Sequence, residues 1–246
     1  MINILANVET EYVLEAVRAF LWFVLPIAVL TIVLVLVRIF VKIPDFIFRK
    51  ILHLIAISMI SVLIIVPIHW WISEIVMGIC GIGIIVILLI FEHIKFYQKL
   101  FIEKGKHEVL ISFIVFFIVI LCLIAFFWGF RGDSHKYYVI IALQAWGWGD
   151  AAASIIGHIW GKHKLTGKFI EGTKSVEGSI GCALFAFTIS LILLLTLIHM
   201  VWWLAILEAL LIGICVSLAE LFTKKGMDTI TCPIVSAIIL FLFSLI

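Results

Sequence analysis

Eight apolar segments, each about long enough to cross a bilayer, leave this chain little choice of fold. They run over Ala19–Val41, Ile51–Ile72, Glu74–Phe91, Val109–Phe130, Tyr137–Trp160, Gly178–His199, Val201–Phe222 and Ile230–Ile246. A helix rises about 1.5 Å per residue, so about 20 apolar residues match a hydrocarbon core roughly 30 Å thick. The chain is 65% hydrophobic and only 13% charged, with a mean hydropathy of +1.35, a balance that no soluble domain has. The fold expected is all-α: a polytopic transmembrane helical bundle of about eight spans, forming a single integral membrane domain over residues 1–246. Neither an internal repeat nor a low-complexity segment interrupts it.

The distribution of positive charge predicts the orientation. Four linkers carry Arg38, Lys42, Arg49 and Lys50; Lys95, Lys99, Lys104 and Lys106; Lys162, Lys164, Lys168 and Lys174; and Lys224 with Lys225. Of the 17 basic residues only Arg18, Arg131 and Lys136 fall on the other side. The positive-inside rule makes the rich linkers cytoplasmic and puts both termini outside, with Trp70, Trp71, Trp202 and Trp203 as outer interfacial anchors. A net charge of +2 gives no reason to expect nucleic acid as a partner. Residues Phe91–Glu108 interleave Ile94, Phe96, Tyr97, Leu100 and Phe101 with lysines and predict a helix lying at the cytoplasmic interface. The first eighteen residues hold Glu9, Glu11 and Glu15 and lack the basic start of a secretory signal, so a short interfacial lead-in is expected. Each of the five cysteines stands alone in an apolar run and reads as a reduced packing residue.

Against this background Asp150 stands out. A carboxylate inside a span costs about 2.5–3.5 kcal/mol on insertion scales, and it persists mostly where it meets a cavity, an ion or a partner. It follows Gly147-Trp148-Gly149, which predicts a loosened helix with Asp150 capping a second half-helix. Asp150, Ser154 and Gly157 share one helical face, and Gly149, Ala153, Gly157 and Gly161 form an adjacent small-residue ridge. The bland reading is a packing seam. The sharper one is a ligand for Mg²⁺, which takes one or two carboxylates and completes its shell with phosphate oxygens and water.

The loop that follows carries Lys162, His163, Lys164, Lys168 and Lys174 between glycines, a composition suited to polyphosphate as well as to ordinary topogenic charge. Lys174 differs from the others because Lys174-Ser175-Val176-Glu177-Gly178 leads directly into a span, where the Ser175 hydroxyl and the Gly178 N–H are expected at a helix start. The run does not fit the Walker A spacing, and HExxH, GxSxG and His/Cys ligand pairs are absent. Arg49-Lys50-Ile51-Leu52-His53 opens the second span with Arg49 and His53 on one face. Glu220 ends the seventh span, and Asp228-Thr229-Ile230-Thr231-Cys232-Pro233 enters the eighth, where Asp228 is expected either to cap the helix with Thr229 and Thr231 or to complete a metal site with Asp150 and Glu220.

Taken together, Arg49–His53, Gly149–Gly167, Lys174–Gly178, and Glu220 with Asp228–Pro233 resemble the CTP-dependent lipid kinase family that includes dolichol kinase, phytol kinase and the fungal CTP-dependent diacylglycerol kinase. A more distant likeness is to phosphatidate cytidylyltransferase. Phe101–Val109 resembles a cytoplasmic segment of the same family. The resemblance implies an integral membrane enzyme, its active site facing the cytoplasm, that uses CTP and a divalent metal, Mg²⁺, on a membrane lipid alcohol, with a homodimer as its assembly. It carries Arg49, Lys50, Asp150, Gly157, Lys174 and Asp228 over as functional positions. One departure is Asp228-Thr229, where kinases of this family often show Asp-Asn.

In the kinase reading Asp150 and Asp228 hold Mg²⁺. Arg49, Lys50 and Lys174 hold phosphates, with His53, Ser154, Gly157, Lys164, Ser175, Gly178 and Thr231 around the nucleotide, and Glu177 or Glu220 orients the lipid hydroxyl. A cytidylyltransferase would use the same metal and lysines on a lipid phosphate. The kinase is preferred because Arg49–His53 and Asp228–Pro233 resemble that branch, and because the second carboxylate close to Asp150 that the transferase branch implies is absent from the sequence. A transporter with a broken fifth helix is the non-enzymatic alternative; it explains Asp150 but not the lysine loop.

Overall fold

The computed structural model describes residues 2–91, 108–167, 170–224 and 226–245. Eight α-helices make up the described bundle: α1 (Ile2–Phe40), α2 (Asp45–Ile65), α3 (Trp70–Phe91), α4 (Glu108–Leu123), α5 (Lys136–Ile159), α6 (Val176–Thr196), α7 (Trp202–Phe222) and α8 (Asp228–Phe243). A π-helical turn, Ile124–Phe130, continues α4, and a short 3₁₀ turn, Asp133–His135, leads into α5. Among the described residues the only β pairing is two isolated bridges in the loop after α5. The expectation of an all-α bundle holds. In lipid the backbone must satisfy itself within each segment, and helices do so. Among the described residues seven helices are long and apolar enough to cross a membrane; α8, with 16 residues, is about 24 Å long and falls short of that length.

Helix α1 differs from expectation. Residues read as an interfacial lead-in belong to one continuous helix from Ile2, since nothing before Pro26 breaks it. Glu15 ties this helix to the α2–α3 turn, where its carboxylate accepts from the backbone N–H of Ile68 (2.7 Å) and His69 (3.0 Å) and pairs with His69 Nδ1 at 2.9 Å. The expected interfacial helix, with Lys95, Lys99, Lys104 and Lys106, and also Lys168 and Lys225, lie outside the described residues. So does most of the family-like segment Phe101–Val109.

The core is built around α5. Nearly every residue from Tyr138 to Ala153 is buried, and α5 packs against α2, α6, α7 and α8. The small-residue ridge accounts for the closeness of α6. A Cβ on Gly149 would lie 3.1 Å from Cys182 Sγ, and one on Gly178 would lie 2.8 Å from the Ala153 carbonyl oxygen. Gly178→Ala therefore forces α5 and α6 apart, and a loss of about 1–3 kcal/mol of stability is expected, read as a lowered unfolding temperature in detergent.

Candidate functional site

Where α5 leaves the bundle, its polar face meets the start of α2 and the loop before α6. Asp150 accepts from Lys50 Nζ at 2.6 Å, and His53 Nε2 lies 3.5 Å from the same oxygen. The imidazole also packs edge-on against Trp146, with ring centroids 5.0 Å apart. Both members of the Lys50–Asp150 pair are largely withdrawn from solvent. A buried pair of this kind survives only when each charge keeps its partner, because breaking one costs about 3–5 kcal/mol.

The helix itself corrects one expectation. Instead of breaking at Gly147–Gly149, α5 runs unbroken from Lys136 to Ile159, so Asp150 is not a cap. The glycines serve close approach, since a Cβ on Gly147 would meet Ile57 at 2.7 Å. Asp150, Ser154 and Gly157 do share a face, and all three line one cavity.

The loop after α5 is tied back by its own backbone. Leu165 N–H donates to the Lys174 carbonyl and Val176 N–H to the His163 carbonyl, each at 3.0 Å, so Lys174 is presented beside the end of α7. There its ammonium pairs with the Glu220 carboxylate and donates to the Glu220 backbone carbonyl at 3.2 Å. Burial works against the Lys174 ammonium, but Glu220, followed by Asp228 and Asp150, outweighs it and raises the group above the ordinary lysine value. A raised lysine contributes stability that is complete below its unfolded value and is lost only as pH rises through the folded one, so the pair is intact through the neutral range.

Four residues around Lys174 have partners of their own, and three of them, Lys164, Ser175 and Gly178, still line the cavity. Ser175 and Gly178 satisfy each other: the Ser175 hydroxyl caps α6 by accepting from Gly178 N–H at 3.2 Å. Glu177 turns to His163, 2.6 Å from its Nδ1, and is not among the cavity residues. Lys164 reaches back to the carbonyls of Gly157 (3.4 Å) and Thr173 (3.5 Å).

At the start of α8 the cap residue is Met227, and Asp228 makes no side-chain cap. Its carboxylate instead receives Trp146 Nε1 at 3.5 Å and lies within electrostatic reach of Asp150, Lys50 and Lys174. Thr231 bonds Thr223 across the turn at 2.9 Å.

The resulting cavity has a volume of about 1600 Å³. Asp150, Lys50, Lys174 and Glu220 line it together with Arg49, while Val35, Ile39, Phe46 and Leu52 give it an apolar wall from the α1–α2 corner. Of the expected site residues, His53, Glu177, Asp228 and Thr231 fall outside that lining. Sequence reading missed three residues of the cavity lining: Phe46 and His158, whose tilted rings lie 3.9 Å apart between centroids, and Glu171. Nothing in their local sequence marks them.

Among the described residues no cluster of three or more His, Cys, Asp or Glu side chains forms a metal site. A metal that arrives with phosphate asks for fewer protein ligands. Mg²⁺ in such sites uses one or two carboxylates and keeps phosphate and water for the rest of its shell. Asp150 lines the cavity, and Asp228, outside its lining, is a second carboxylate within electrostatic reach of it.

Fold and site together define a membrane-embedded helical bundle with a charged cavity beside an apolar wall. Comparison with protein-family models, curated proteins and solved structures finds no match for the chain.

Proposed function

We propose that this chain is a CTP-dependent kinase of a membrane lipid alcohol: a polyprenol, a phytol-like isoprenoid or diacylglycerol. The observation that carries the reading is the meeting, in one cavity, of two largely buried lysine–carboxylate pairs with an apolar wall. Lysines already paired to carboxylates can exchange them for phosphate oxygens without being left uncompensated. The apolar wall suits a lipid held with its hydroxyl at the charged end.

In this reading Lys50, Lys174 and Arg49 bind the phosphates. Asp150 and Asp228 would hold Mg²⁺, which supplies charge neutralisation on the phosphate oxygens when bound. The lipid hydroxyl oxygen attacks the γ-phosphorus, the bond from that phosphorus to the β,γ-bridging oxygen breaks, and CDP leaves. As Lys174 moves to phosphate, Glu220 is released to take the hydroxyl proton. Positioning and charge neutralisation do most of the work in such transfers.

One observation favours keeping a cytidylyltransferase as the second reading. The second carboxylate near Asp150, absent from the local sequence, arrives from α8 as Asp228. A lipid phosphate would then attack the α-phosphorus and pyrophosphate would leave. The transporter reading loses its premise with the unbroken α5.

The proposal includes a cytoplasmic site, a homodimer and, with α8 taken as a short eighth crossing, both termini outside. Impermeant labelling of single cysteines is expected to reach His199→Cys from outside and Lys162→Cys only after permeabilisation. The deciding experiment incubates purified protein with Mg²⁺, a panel of lipid alcohols and lipid phosphates, and CTP labelled at the α or γ position. Label from γ in the lipid is expected. Label from α supports the transferase, and label from neither position overturns both.

A further inference from the structure

Contacts between α2 and α5 form a ladder that ends in the cavity. Gln144 donates to the Ile57 carbonyl and to Ser61, Trp146 meets the His53 ring, Asp150 takes Lys50, and His158 meets Phe46. Residue numbers rise along α5 as they fall along α2, so the helices are antiparallel. The last rung differs from the others, because both of its members are rings that line the cavity. His158 is exposed and Phe46 half-buried, with centroids 3.9 Å apart and ring planes inclined by 34°. The reaction proposed above gives His158 no task and uses Phe46 only as apolar wall.

The ladder also fixes how far this rung stands from the charged groups. Along α5, His158 lies eight residues, about 12 Å, beyond Asp150, and along α2 Phe46 lies four residues, about 6 Å, before Lys50. The cavity thus grades from withdrawn charges to an aromatic pair at its exposed end. A nucleoside triphosphate is graded in the same order: with its terminal phosphate at Lys50, Lys174 and Asp150, the ribose and base extend toward Phe46 and His158. Every base has a π face, and aromatic side chains take bases by stacking on it. A hydrocarbon chain suits this end less, since the imidazole carries a polar tip into solvent. Val35, Ile39 and Leu52 remain as wall for the lipid.

We propose that Phe46 and His158 form the nucleobase subsite of this cavity, with the base of the nucleotide stacking against their paired rings. The inference rests on the CTP reading and serves the kinase and the transferase alike, because both reactions hold the same nucleotide. Phe46 and His158 bind and orient. Neither ring acts on the reacting phosphorus.

The test compares two probes on the full chain in detergent with Mg²⁺: CTP, and ribose triphosphate, which lacks only the base. Dissociation constants come from the rise of unfolding temperature with ligand, and no turnover is needed. Wild type is expected to bind CTP about tenfold or more tightly than ribose triphosphate, within the range that base–aromatic stacking gives. In His158→Ala and in Phe46→Leu that preference should fall by about fivefold or more, with the constant for ribose triphosphate unchanged. His158→Phe, which keeps a ring, should retain it. A packing contact between α2 and α5 would lower the unfolding temperature of His158→Ala and leave the preference intact, which overturns the subsite. Equal binding of both probes by wild type also overturns it while the phosphate site stands. Binding of neither removes the CTP reading and the subsite together. Should His158→Ala and Phe46→Leu fail to fold, wild type is photo-cross-linked to CTP iodinated on its base: adducts on Phe46 or His158 support the subsite, and adducts confined to other residues overturn it.

Discussion

Replacing Asp150 by asparagine is expected to give a protein that still inserts and stays monodisperse but turns over about a thousandfold more slowly, a loss of roughly 4 kcal/mol in transition-state stabilisation. Asparagine keeps the shape of the side chain and removes the charge that a metal–phosphate complex requires. It also strips Lys50 of its 2.6 Å partner. Some stability should go with it, since an uncompensated buried charge is costly. The double variant Asp150→Asn/Lys50→Gln separates the two effects. Removing both charges should restore the unfolding temperature, because the pair is cancelled rather than broken. Turnover should stay low. Measured as turnover against Mg²⁺ concentration, recovery of activity in the double variant would reduce Asp150 to a counter-ion for Lys50.

How much of this could be read from the residues alone differs from place to place. The bundle was legible because length and hydropathy fix membrane helices without reference to tertiary contacts. The face shared by Asp150, Ser154 and Gly157 was legible too, since helical periodicity is local. The continuity of α5 was not. Glycine permits a break and equally permits close packing, and which one occurs depends on α6, whose backbone comes near Gly149 through Cys182. Ser175 shows the same ambiguity: a serine three residues before a glycine at a helix start can offer its hydroxyl to a ligand or to the helix, and here the helix takes it. The pairings Lys50–Asp150 and Lys174–Glu220 join residues 100 and 46 positions apart, beyond the reach of any periodicity. Glu208 of α7 escaped for a plainer reason. It lies in no motif, and although a carboxylate inside a span is visible in the sequence, its burial without a partner shows only in the structure.

The second large effect concerns Lys174. Lys174→Ala should reduce CTP-dependent turnover by about a hundredfold or more, against a small change for Lys162→Ala. Lys162 is exposed, and its charge is of the kind that orients a span. Lys174 is held by the backbone pairing of its loop against Glu220, a carboxylate only 4% exposed, in a cavity shared with Lys50 and Asp150. Alanine therefore removes a phosphate ligand and leaves Glu220 buried without its cation. Two further variants separate those consequences. Lys174→Ala/Glu220→Gln should recover stability while turnover stays low, because neutralising the acid does not restore a phosphate contact. Lys174→Arg should keep the charge and retain part of the activity, since its fork of donors also suits phosphate but not the geometry of a single ammonium. The readout that separates a ligand from a structural lysine is the KM for CTP, which should rise in Lys174→Arg at unchanged unfolding temperature. Equal and small losses for Lys174→Ala and Lys162→Ala would return the whole loop to topogenic charge and remove the phosphate role from the site.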